Sequence, residues 1–93
     1  IMDYSLKQDG FELLVEAEKE RVKEEVLSSY INLRKKKGIT QQQIADLTGM
    51  QRTNIVRIES GRYSPSIEVL VKLAAALDMD IEIRLVERKS GDE

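Results

Sequence analysis

Three glycines, at positions 38, 49 and 61, punctuate the middle of this 93-residue chain and leave room for one short helix between each pair. Upstream of the first, the run Lys35, Lys36, Lys37 offsets the negative end of a helix macrodipole, and Gly38 supplies the left-handed residue that closes a helix. Thr40 then announces a new helix. Its hydroxyl can accept the amide three residues on, while Gln43 sits where its side chain can return the bond. That helix is predicted over residues 41–48, with Gly49 permitting a tight turn. Ile55 and Ile58, three apart, predict another between Arg52 and Ser60, ended by Gly61. Ser64 and Pro65 read as the N-cap and first turn of a further helix, whose Ile67, Leu70, Val71, Leu73, Ala74 and Leu77 form a broad apolar face.

The flanks are less regular. Residues 1–10 show no periodicity, and Ile1 ahead of Met2 reads as a cloning remnant rather than native sequence. From Phe11 to Leu33 apolar residues recur at helical intervals, among them Val22, Val26, Leu27, Tyr30 and Ile31, which predicts one long helix or two abutting ones. After Asp78 the period changes. Ile81, Ile83 and Leu85 alternate with Glu82, Arg84 and Val86, the pattern of a half-buried strand. No other segment reads as a strand, so the expected partner is the same segment of a second subunit, antiparallel about a two-fold axis. A fifth helix containing Ile81, Leu85 and Val86 is the competing reading. Residues 89–93 are expected to fray as a disordered tail.

Composition narrows the chemistry. A chain of this length holds one domain with a limited core, and 41% hydrophobic with 34% charged residues suits a helix-rich fold. Without Cys or His there is no disulfide framework, thiolate nucleophile, imidazole base or ordinary zinc site. An enzyme is not expected, nor a metal or other cofactor. With no long apolar run and no basic segment leading into one at the N-terminus, neither a membrane span nor a signal peptide is expected, and the cytoplasm is the expected location. The formal charge is -2, but its distribution matters more. Residues 1–33 carry a net -4, residues 34–66 a net +5 and residues 67–93 a net -3. A concentration of cations in the middle third sets the local field at a contact surface despite the acidic total.

Residues 41–60 satisfy the geometry of a helix-turn-helix. Two short helices crossing steeply need a small residue where they touch, a glycine in the turn and apolar residues facing the domain. Ala45, Gly49, and the set Ile44, Met50, Ile55 and Ile58 fill those roles, and only Thr48 is more polar than its position favours. The same geometry leaves Arg52, Thr53, Asn54 and Arg57 near the exposed start and outer face of the second helix, where all four can hydrogen-bond to base edges or phosphates.

Through Leu33-Arg34, Gly38-Ile39-Thr40-Gln41, Ile44-Ala45, Gly49, Ile55 to Gly61, Pro65 and Leu70 to Leu77, the sequence resembles the Xre and Cro-repressor family over roughly residues 22–78. The resemblance implies an all-α fold, a compact lambda-repressor-like helical bundle that binds operator DNA as a dimer, here with a long N-terminal helix and a C-terminal β-strand pairing across the dimer. The expected organisation is an N-terminal extension, partly helical, over 1–20, a helix-turn-helix DNA-binding domain over 21–78, a dimerisation strand over 79–88 and the tail beyond. Carried onto this chain, the resemblance implies base reading by Arg52, Thr53, Asn54 and Arg57. It implies backbone contacts from Gln41, Gln51, Arg62, Tyr63, Ser64 and Lys37, with Gln41 as phosphate anchor. Several have duller alternatives: Arg57 can pair with Glu59 or Asp46, Tyr63 can be a packing residue, Glu59 can support the domain, and Met50 and Met79 can fill the core.

The ending Ala76 to Leu85 resembles the helix-then-strand termination of antitoxins of the HigA and HipB type, in which the terminal strands of two subunits pair. On that resemblance Ile81, Ile83 and Leu85 form the dimer contact, and the protein is expected to repress its own operon and to neutralise a toxin. The acidic N-terminal helix, with Leu13, Leu14, Glu16 and Glu20 as candidate contacts, suits a basic partner such as an RNA-cleaving toxin. Its plainer reading is an amphipathic helix covering the domain or the dimer interface. Alternatives for the whole protein are a stand-alone Xre-type transcriptional regulator and an interaction module that has lost DNA binding. In the repressor readings the partner is double-stranded DNA carrying an inverted repeat, and no membrane is involved.

Overall fold

The structure is a computed structural model that describes residues 8–88, with side chains from Gly10 onward. The expectations for residues 1–7 and for the fraying tail at 89–93 lie outside the described residues. Among the described residues four helices follow one another: α1 (Gln8–Lys36), α2 (Gln41–Thr48), α3 (Arg52–Glu59) and α4 (Ile67–Ala76). None is long and apolar enough to cross a membrane.

Each boundary has a local chemical cause. α1 is one unbroken helix of 29 residues, so it passes the expected boundary at residue 20 without interruption. It closes at Gly38, whose φ is +71°, with the Gly38 amide donating to the Lys35 carbonyl and the Ile39 amide to the Arg34 carbonyl, both at 3.0 Å. These two bonds satisfy carbonyls that the helix end would leave orphaned. α2 opens with the reciprocal Thr40 and Gln43 bonds expected from the sequence, at 3.0 and 2.8 Å. At its other end the Gly49 amide donates to the Ala45 carbonyl with φ +76°. Thr48 now has an explanation: its hydroxyl donates to the Ile44 carbonyl at 2.8 Å and accepts from the Met50 amide at 3.2 Å, bridging the turn. α4 starts later than expected. Ser66, not Ser64, is its N-cap, accepting from the Val69 amide at 3.2 Å. An N-cap is itself extended, so Pro65 is compatible with either start, and it is the Ser66 hydroxyl that makes the capping bond. α4 ends at Asp78, which takes the left-handed conformation at φ +60° while the Met79 amide reaches the Ala74 carbonyl.

The core sits where α2, α3 and α4 meet the C-terminal third of α1. Ile44, Ala45, Ile55, Ile58, Leu73 and Leu77 are buried together with Leu27 and Tyr30 of α1, and Met50, Tyr63, Val69 and Leu70 pack around them. Burial of a large aliphatic side chain is worth roughly 1.5–3 kcal/mol, so the five fully buried side chains Ile44, Ile55, Ile58, Leu73 and Leu77 anchor the domain. The apolar face read from α4 is narrower than expected: Ile67 is 64% exposed and Val71 also points outward. Met79 is exposed rather than core filler. Residues 79–88 form neither the strand nor the fifth helix within the single chain, and Ile83, Leu85 and Val86 are exposed.

Most of α1 stands outside this core. A helix of its length spans about 43 Å, and the molecule measures 48 × 23 × 19 Å with a radius of gyration of 16.2 Å, against roughly 12 Å for a compact chain of this size. The excess is the arm formed by the first half of α1.

The buried Tyr30 hydroxyl lies beside the Glu59 carboxylate but makes no hydrogen bond of ordinary geometry among the described residues. Burial, reinforced by the nearby Glu59 carboxylate, raises its pKa above the ordinary value. The fold therefore keeps its proton where the unfolded chain has lost it, so the contribution is intact below the unfolded tyrosine pKa of about 10 and is lost as pH rises above it. Tyr30→Phe is expected to match or exceed the parent in stability by up to about 1 kcal/mol at neutral pH. It should also flatten the decline in urea stability above pH 10; an unchanged alkaline slope counts against the burial of this hydroxyl.

Candidate nucleic-acid interface

α3 carries the exposed cationic face. Its start is polar and open: Arg52 and Thr53 are exposed, and Gln51, the N-cap, makes no side-chain capping bond. Instead the Gln51 carbonyl accepts from the Asn54 and Ile55 amides at 2.9 and 3.2 Å, leaving its own amide side chain free to reach outward. The opposite flank of α3 is held by Ile55 and Ile58, both completely buried. A helix of eight residues has little intrinsic stability in water, so its orientation comes from those two anchors and from a polar lock at its far end.

That lock is the buried pair of Arg34 and Glu59, whose side chains are only 10% and 8% exposed. Arg34 Nε and Nη2 donate to the two Glu59 carboxylate oxygens at 2.8 Å each, a bidentate pairing. Arg34 Nη1 donates to the Ile39 carbonyl at 2.9 Å, and Gln41 Nε2 donates to Glu59 Oε1 at 3.1 Å. α1, the loop into α2, α2 itself and α3 are thereby fixed at one point. Glu59 does support the domain, and Arg57 pairs with neither Glu59 nor Asp46 among the described contacts: Glu59 is taken by Arg34, and Asp46 accepts from Gln42 at 2.9 Å. Gln41, expected to be a phosphate anchor, is half-buried with its side-chain amide donating to Glu59.

Arg57 lies over the Tyr63 ring, 5.1 Å from its centroid. The half-buried Tyr63 also donates its hydroxyl to Asn54 Oδ1 at 3.3 Å. The packing alternative for Tyr63 is thus realised, and the same ring steadies two of the four expected base-reading side chains. Arg62 and Ser64 are exposed in the loop between α3 and α4, where the Ser60 hydroxyl accepts from the Arg62 amide at 3.3 Å. Lys37 is exposed at the end of α1.

The other expected sites are placed less coherently. Ile81 is half-buried while Ile83 and Leu85 are exposed, and none of the three lies in a strand among the described residues. The four candidate toxin contacts divide between two faces of α1. Leu14 lines a groove shared with Val15, Val22 and Pro65, whereas Leu13, Glu16 and Glu20 lie on the solvent side, as 100° per residue requires. The residues that sequence reasoning did not find are the ones that position others: Arg34 as the partner of Glu59, the Tyr63 bridge to Asn54, and Ser66. The first two join residues 25 and 9 positions apart, beyond any local pattern.

Two short helices about a glycine turn, the second presenting polar and cationic groups outward, define a helix-turn-helix protein. The sequence profile of the helix-turn-helix family matches residues 31–83, more than half of the chain, and the protein belongs to that family. It is 37% identical over 65 residues to the ImmF control region 10 kDa protein of Bacillus phage phi105, covering 63% of this chain and 72% of that one. It is 42% identical over 62 residues to the cryptic phage CTXphi transcriptional repressor RstR of Vibrio cholerae, covering 67% and 54% respectively. A third relative, 43% identical over 44 residues, is an uncharacterized HTH-type transcriptional regulator of Methanothermobacter thermautotrophicus, with 47% and 64% covered. The chain thus spans from about half to just over two thirds of these relatives. No solved structure gives a significant match.

Glu59→Ala leaves the Arg34 guanidinium buried without its counter-charge and is expected to cost about 3–5 kcal/mol, read from urea unfolding by circular dichroism. Replacing both partners, Arg34→Met with Glu59→Leu, should recover much of that loss. A single substitution costing under about 1 kcal/mol is the result that contradicts this lock.

Proposed function

We propose that this protein is a sequence-specific DNA-binding transcriptional repressor, working as a homodimer in the cytoplasm, and that it is the antitoxin of a toxin-antitoxin pair. The observation that carries the DNA reading is the rigid mounting of α3: two fully buried isoleucines and the Glu59 lock hold it from behind, while Arg52, Thr53 and Arg57 face outward. Such a helix fits the major groove. Arg52 suits bidentate pairing with guanine N7 and O6, worth about 1–3 kcal/mol of discrimination. Asn54 keeps its NH2 group for a base edge while its oxygen is steadied by Tyr63. Gln51, Arg62, Ser64 and Lys37 are exposed and, with the start of α2 at Gln41, suit phosphates, which position without specifying. Tyr63 serves from the side, holding Arg57.

Two copies related by a two-fold axis place two α3 helices in successive major grooves roughly 34 Å apart, on an inverted repeat overlapping a promoter. Polymerase is excluded sterically. For the symmetry, the exposed alternation of Ile81, Ile83 and Leu85 supports pairing of the tail with its copy, which would supply the ladder bonds that a lone extended segment lacks. For the antitoxin role, the solvent side of the arm supports a basic partner, since Leu13 is exposed beside Glu16 and Glu20. A second reading, a stand-alone regulator without a toxin, is favoured by the names of the relatives, which speak of regulators and a repressor and of no toxin.

On the DNA upstream of its own gene, Arg52→Ala is expected to weaken binding by about 1–3 kcal/mol and to broaden sequence choice, whereas Arg62→Ala should weaken all sequences nearly alike and lower the salt slope by about one. Fluorescence anisotropy across roughly 50–200 mM salt reads both. Intact affinity and selectivity in both variants would place the DNA face elsewhere.

The toxin reading is tested by co-expression with the product of the adjacent reading frame. Glu16→Lys with Glu20→Lys should abolish rescue of growth and co-purification while leaving operator binding intact. Rescue that survives the charge reversal, or a neighbour with no effect on growth, returns the protein to the stand-alone reading.

A further inference from the structure

The arm of α1 presents a face that the rest of the chain covers only in part, with Ser64, Pro65, Leu70 and Arg88 at its edge. Leu14, Val15, Glu18, Lys19, Val22 and Lys23 all line one open groove of about 570 Å3, which continues past Val26 to a recess walled by Pro65 and Leu70. Val15 and Val22 are 47% and 42% exposed. A contiguous apolar strip of this kind on a small protein marks an interaction surface.

The order of residues along that strip identifies its occupant. Turned end for end, with positions paired so that their numbers total 37, the face matches itself. Val15 meets Val22 of the partner copy, and Glu18 meets Lys19 on either side of the two-fold axis. The tip of each arm, carrying Phe11, falls beside Val26 of its partner and against the Pro65 and Leu70 recess. On its own chain Glu18 pairs with Arg21 at 2.7 Å and feels Arg88 of the tail, while Lys19 pairs with Glu16 at 3.1 Å; exposed pairs of this kind exchange at little cost. By contrast, the surplus of carboxylates that suits a basic partner lies on the other side of the helix, at Glu16, Glu20 and Glu24.

We propose that the groove face of α1, centred between Glu18 and Lys19, is a homotypic docking surface on which the arms of two copies of this chain pack antiparallel. The inference rests on the two-fold assembly proposed above; the tail reaches this groove at Arg88, but Ile81, Ile83 and Leu85 do not line it, so the two contacts can fail independently. It also assigns the two sides of one helix to different work: the Val15 and Val22 side to a second copy, the Leu13 and Glu20 side to solvent or a further partner.

Because the chain has no cysteine, site-directed cross-linking tests the register directly. Full-length chains carrying Val15→Cys and Val22→Cys are prepared separately, then mixed and treated with a short bismaleimide reagent. The mixture should yield at least about fivefold more linked dimer than either variant alone, the excess reporting an antiparallel isologous contact. In analytical ultracentrifugation, Glu18→Lys and Lys19→Glu should each weaken dimerisation about tenfold, since the two-fold axis repeats the contact, and the doubly exchanged chain should return to within about twofold of the parent. Linkage within each variant alone, which means parallel arms, overturns the proposal. So does a dimer whose mixture gives no excess linkage, in which case the tail pairing stands alone. A chain that stays monomeric at all concentrations overturns both readings of the assembly, and operator binding by the same variants reports the DNA face separately.

Discussion

The bidentate contact between Arg34 and Glu59 is the constraint on which the rest of this molecule depends. It joins the last turn of the longest helix to the last turn of one of the shortest, and Gln41 and the Ile39 carbonyl complete it. A buried ion pair is often no more stabilising than a well-packed apolar substitute. Its contribution here is directional. An eight-residue helix held only by Ile55 and Ile58 could roll about its axis with modest loss of burial, whereas two parallel hydrogen bonds at fixed spacing admit one orientation. The outward aim of Arg52, Thr53 and Arg57 follows from it.

The outer face is prepared in a similar way. Tyr63, from the loop beyond α3, lies beneath Arg57 and bonds to Asn54, so that two long or adaptable polar side chains are restrained before any ligand arrives. Restraint of this kind lowers the entropy that binding must otherwise consume. Arg52 and Thr53, nearest the helix start, carry no such restraint among the described contacts. The surface is thus graded, from the pre-positioned Arg57 and Asn54 to the freely moving Arg52.

The long helix serves two regions with different physics. From Leu27 onward it is core, supplying Leu27, Tyr30 and Arg34 to the domain. Before that it is an arm with charges on one side and an incompletely covered apolar strip on the other. The charged pairs along it, such as Arg21 with Glu18 and Lys19 with Glu16, are exposed and each adds little. The strip accounts for the elongation of the molecule, and the Pro65 and Leu70 recess at its inner end is continuous with the domain.

Local chemistry in the sequence was enough to specify the punctuation of this fold. The Thr40 capping pair, the turn at Gly49 and the closure at Gly38 involve groups within five residues of one another, and the buried set Ile44, Ala45, Ile55, Ile58, Leu73 and Leu77 follows from helical spacing. So does the outward placement of Arg52 and Thr53. One local misreading, Ser64 for Ser66, arose because both are plausible caps and only the bond formed from the Val69 amide to the Ser66 hydroxyl separates them. Tertiary structure alone decided the partners. Nothing in the spacing of Arg34, Gln41 and Glu59 announces that they meet, because their contact is set by how helices cross, and the same is true of Tyr63 with Asn54 and Arg57. Nor does apolar periodicity say how much of a face a small domain can cover. Ile67, Val71 and Val22 fit the helical pattern as well as Leu73 and Leu77 do, yet they remain at the surface, because three short helices provide too little area to enclose them.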